Sequence, residues 1–85
     1  MIEPNNLQSR RILAALLLSH APIAMPVLNE IGSGKPGGYC GSFTRRISDL
    51  RELGYYIVMT EEYAGTQRHT FYELYNPAKT EFSDN

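Results

Sequence analysis

The chain of 85 residues contains one cysteine, two histidines and no tryptophan. A lone thiol forms no intramolecular disulfide framework. Cys40, His20 and His69 are scattered, without the close ligand pairs of metal motifs, so no structural metal or other cofactor is expected. Long apolar runs are also missing. The longest, Ile12 to Leu18, falls far short of the roughly 20 residues that span a bilayer. Arg10 and Arg11 before that run, with small residues near Ala21 to Ala24, imitate a secretory leader only faintly, because cleavage there would discard the best amphipathic helix. The expectation is a cytoplasmic location and no membrane partner. The formal net charge of −1 lacks the excess of a generic polyanion binder. Length allows a single domain over residues 1–85, with an ordered core over about 7–77 and a polar tail over 78–85.

What is present is periodic. Leu7 to His20 repeats apolar residues at helical steps through Ile12, Leu13, Leu16 and Leu17, with Asn5 or Asn6 placed to cap. Pro22 and Ile23 stop that helix and suggest a short extended connection. A second helix is expected from Pro26, burying Val27, Leu28 and Ile31 and stopping at Gly32. Residues 32–41 hold five of the seven glycines and read as a loop. Ser42 then caps a third helix whose apolar positions are Phe43, Ile47, Leu50 and Leu53, with Gly54 as its stop. Tyr55 to Tyr63 and Arg68 to Asn76 read as strands joined by a loop at Ala64-Gly65-Thr66-Gln67. The predicted fold is α+β, a winged helix-turn-helix of three helices followed by a two-stranded antiparallel β-hairpin wing.

The segment from Arg45 to Ile57, RRISDLRELGYYI, resembles the signature of small winged helix-turn-helix domains common in bacteriophages. Their pattern, RI-x-x-LR-x-x-G-Y/W-x-I, is matched by Arg46, Ile47, Leu50, Arg51, Gly54, Tyr55 and Ile57. The ILAALL of the first helix and the Tyr72-Glu73-Leu74 strand are similar to that family too, so the resemblance covers about residues 9–76. It implies a DNA-binding fold. One departure stands out: about ten glycine-rich residues replace the usual tight turn between the second and third helices, supplying backbone N–H groups and Lys35 near a helix start.

At about 100° per residue, Thr44, Arg45, Ser48 and Glu52 lie opposite the apolar stripe of the third helix. In a helix-turn-helix this face, over about residues 42–53, enters the major groove. Arg45 is the best base reader, because its planar fork bridges two acceptors on guanine. Ser42, Thr44 and Ser48 can donate to bases or phosphates, Lys35 to phosphate, and Arg68 at the hairpin tip, near Thr66, Gln67 and His69, to the backbone or minor groove. Arg46 reads as structural, in i, i+3 reach of Asp49; Arg51 is open between structural and DNA-binding roles.

Residues 10–51 carry six basic and two acidic side chains, whereas residues 52–85 carry two basic and six acidic ones. The halves are thus +4 and −4, so double-stranded DNA is expected on the helices and the wing with Glu61 and Glu62 away from phosphates. A subunit neutralising only ~3–5 phosphates binds weakly, which favours a homodimer or adjacent protomers. The expected function is a sequence-specific DNA-binding protein, a phage or prophage transcriptional regulator or recombination accessory factor. The alternative is a module that binds a host or phage protein through the acidic wing and an outward Phe71/Tyr75 pair.

Catalytic patterns are weak. Gly34-Lys35 lacks the following Ser or Thr of a P-loop. Cys40 has no histidine fixed beside it and reads as a small loop or edge hydrophobe. Glu61 and Glu62 alternate across a strand, and His20 suits a helix C-terminus. No enzyme is expected.

Overall fold

The computed structural model describes residues 4–75. Three helices, α1 (Leu7–Leu18), α2 (Met25–Ser33) and α3 (Phe43–Glu52), combine with strands β1 (Ile23–Ala24), β2 (Tyr56–Ala64) and β3 (Gln67–Tyr75). The predicted core limit at 77, the strand end at Asn76 and the polar tail lie outside the described residues.

Asn6 is the cap of α1: its Oδ1 accepts from the Ser9 N–H at 3.2 Å, satisfying one free donor of the first turn. The helix stops at Leu18, earlier than predicted, because Ser19 is extended and its hydroxyl bonds the Ala21 backbone ahead of Pro22. His20 therefore lies past the helix end, one residue beyond the Ser19 cap.

The α2 helix begins one residue before Pro26 and runs through Gly32 to Ser33, stopping at Gly34 in the left-handed conformation (φ 76°). Gly32 is a contact point instead of a terminator. A Cβ there would lie 3.1 Å from Ile12 Cδ1, so the missing side chain lets α1 and α2 approach. The predicted inward face is also rotated. Leu28, Asn29 and Gly32 are buried, while Val27 and Ile31 reach solvent.

The sheet has three strands, not the predicted two, in the order β1-β3-β2 and antiparallel throughout. Ile23 and Ala24, predicted as a connection, pair with Tyr72 and Phe71. A two-residue strand carries no alternation to read, and its partner lies about fifty residues further on. Gly65 (φ 66°) and Thr66 form a two-residue turn with positive φ only at the first position, the type II′ geometry that matches strand twist.

One core joins these elements: Ile12, Leu13 and Leu16 of α1, Leu28 of α2, Cys40, Phe43, Ile47 and Leu50 of α3, and Ile57, Tyr72 and Leu74 of the sheet. Phe43 meets Tyr72 edge-on, with ring centroids 5.3 Å apart, which ties α3 to β3. Among the described residues no helix is long and apolar enough to cross a membrane.

Candidate nucleic-acid interface

Burial of Phe43, Ile47 and Leu50 fixes the rotation of α3, and the predicted outward face follows. Ser42, Thr44, Arg45, Ser48, Arg51 and Glu52 are all exposed. Ser42 occupies the N-cap position, but its side chain makes no capping bond.

Arg45, Arg46, Arg51, Arg11 and Lys35 of the helical half differ in what holds them. Arg45 is 75% exposed along its side chain, with Nε 3.7 Å from Asp49 Oδ1. Arg46 is largely covered, its Nη2 3.6 Å from the other Asp49 oxygen, as its position beside the apolar stripe predicts. Arg51 is committed to the fold: Nη2 and Nε both donate to the Ile57 carbonyl, at 2.8 and 3.3 Å. Arg11 donates to the carbonyls of Gly32 and Ser33, where a cation also meets the negative end of α2. Lys35 is exposed just beyond that end.

The glycine-rich segment between α2 and α3 is held by its own chain. Gly37 donates to the Glu30 carboxylate, Gly38 to the Lys35 carbonyl at 2.9 Å, and Lys35 to Ser33 Oγ at 3.2 Å. The Cys40 N–H donates to Asn29 Oδ1 inside the core, and the Cys40 thiol lies 3.1 Å from Gln8 Oε1. These bonds engage the Lys35, Gly37, Gly38 and Cys40 amides, four of the backbone N–H groups that the glycine-rich segment supplies near the start of α3. Cys40 is a small hydrophobe of the loop between α2 and α3, as predicted, and it is fully buried in the core, not at its edge. Tyr39, which the sequence reading passed over, stands 77% exposed between Gly38 and Cys40. Its signal was present as the only aromatic side chain among the glycines before α3.

Arg68 stands on the hairpin, 62% exposed and 3.9 Å from Glu61. The sheet thus separates it from α3 by most of the length of β2. Tyr72 and Leu74 point inward and Glu73 and Tyr75 outward, as alternation predicts. Phe71 does not form the expected open pair with Tyr75: it is half-buried, beside Pro22, Thr60 and Glu62. Tyr75 pairs instead with Tyr56, at a centroid distance of 5.7 Å. Among the described residues no three His, Cys, Asp or Glu side chains gather into a metal site.

No protein-family profile, curated protein or solved structure matches this chain.

Proposed function

We propose that this protein is a winged helix-turn-helix DNA-binding protein that inserts α3 into the major groove, with the β2–β3 hairpin as its wing. The observation that carries this reading is the exposed polar face of α3, on which Arg45 projects beside Thr44 and Ser48 while the opposite face is fully engaged in the core. The order of elements supports it, as does the charge split of +4 over residues 10–51 and −4 over residues 52–85. Arg45 acts as the base reader, and Ser42, Thr44, Ser48, Lys35 and Tyr39 bond bases or phosphates nearby. Arg68 remains a peripheral backbone contact, and Arg51 serves by holding the hairpin to α3. With so few unengaged cations, a regulator or recombination accessory role requires a dimer or neighbouring protomers on one duplex.

Selection from random duplexes followed by gel shift tests the reading. Arg45→Ala is expected to relax preference at one base pair by about 1–3 kcal/mol, whereas Lys35→Ala weakens all sequences alike and flattens the salt dependence. Absence of any shift at ~50 mM salt would overturn it.

A further inference from the structure

The β2 strand lies at the rim of the sheet, with β3 on one side and no strand on the other among the described residues. Its ladder with β3 runs without a bulge from Tyr56–Tyr75 to Ala64–Gln67. A two-residue turn closes on a hydrogen-bonded pair, so alternation from Ala64–Gln67 turns the N–H and C=O groups of Tyr63, Glu61, Met59 and Ile57 away from β3. The Arg51 guanidinium on the Ile57 carbonyl, reaching in from α3, agrees with that parity. Beyond Ile57 the rim is open among the described residues: Met59, Glu61 and Tyr63 are exposed, and no proline interrupts them.

Open edges of this kind template another strand unless something deters it. Here charge selects the occupant. Glu61 and Glu62 lie on opposite faces of the strand, with Arg68 beside Glu61 only. A second copy paired through β2 would place acid beside acid along the seam, two carboxylates on each face, and like charges across strands oppose pairing. A basic strand meets the reverse situation, with Met59, Tyr63 and Val58 offering apolar contact on either side of the acids.

We propose that the outer edge of β2 receives an extended basic segment of a protein partner as a fourth strand. Backbone bonds from Met59, Glu61 and Tyr63 hold it, and a pair of Lys or Arg residues faces Glu61 and Glu62. The surface is distinct from the polar face of α3 and stands whether or not α3 meets DNA.

A blocked peptide of sequence TVKKTVT, titrated into the isotope-labelled full-length protein and followed by amide chemical shifts, tests this. Shifts are expected to centre on Met59, Glu61 and Tyr63, and TVEETVT is expected to leave the spectrum unchanged. N-methylation of the central lysine keeps the peptide charge but removes a backbone donor, and should weaken binding about 2- to 10-fold. The exposed substitutions Glu61→Gln and Glu62→Gln should each weaken it up to about fivefold. Equal binding of the N-methylated peptide would reduce the effect to charge adsorption and overturn the proposal. So would no shift, or shifts spread over acids away from β2.

Discussion

The Arg51 side chain reaches from the last turn of α3 to the Ile57 carbonyl oxygen, with Nη2 at 2.8 Å. Both nitrogens of one rigid fork address the same oxygen, so a single side chain ties the helix end to the start of β2. The same contact occupies the first outward carbonyl of the sheet edge and positions the hairpin relative to α3.

Arg51→Ala is therefore expected to lower stability by about 1–2 kcal/mol, a charge-assisted bond discounted for its exposed setting. Arg51→Lys should recover only part of the loss, because an ammonium has no fork. Urea unfolding measures both as shifts in midpoint at constant m-value. An unchanged midpoint in Arg51→Ala would mean that water replaces the guanidinium at no cost.

Asn29 is buried, and its Oδ1 receives the Cys40 N–H. Asn29→Ala strands that donor in the core and should cost about 1–3 kcal/mol. The same change frees the segment holding Cys40, whose thiol is fully buried. A thiol reagent should label the native protein slowly and the variant faster, at matched urea-free conditions. Equal labelling rates would show that Asn29 does not hold this segment down.

Gly34 and Gly37 both have positive φ, 76° and 70°. An L side chain pays roughly 1–2 kcal/mol in that conformation. Only at Gly34 would the added Cβ fall on the Arg11 guanidinium, displacing it from the end of α2. Gly34→Ala should thus be more destabilising than Gly37→Ala. In an Arg11→Ala background the two costs should converge, a comparison that a double-mutant cycle reads directly.

Burial raises the Tyr72 phenol above its ordinary value of 10.0; the Arg51 charge opposes that shift and Glu61 adds to it. The folded protein then holds the proton more tightly than the unfolded chain. The Tyr72 contribution to stability should be level below pH 10.0 and fall as the pH rises past it, while the unfolded phenol ionises first. Tyr72→Phe should flatten that decline in urea midpoints measured across the alkaline range. A decline of equal steepness in the variant would assign it to other groups.

Much of this architecture was legible because it is local. Phe43, Ile47 and Leu50 recur at helical spacing, and burial of those three residues places Arg45 outward without further information. Arg46 and Asp49 likewise fall at i, i+3. What escaped depended on partners remote in sequence. Gly32 looked like a terminator because nothing local records Ile12 across the α1–α2 contact. The glycine-rich segment looked open because its acceptors, Glu30 and Asn29, belong to the preceding helix. Arg51 could be read two ways until the Ile57 carbonyl stood beside it.

The two-residue strand β1 has a consequence for the order in which the chain assembles. The hairpin and the α2–α3 segment close over short stretches, but Ile23–Tyr72 joins points about fifty residues apart. Loop-closure entropy makes such a contact slow to form and dependent on what already stands. The β1–β3 pairing is thus expected to complete late, after the hairpin turn and the α2–α3 segment have closed. Weakening that pairing should fray the β1–β3 edge, while the Phe43–Tyr72 contact and the shared core still hold the hairpin to the helices.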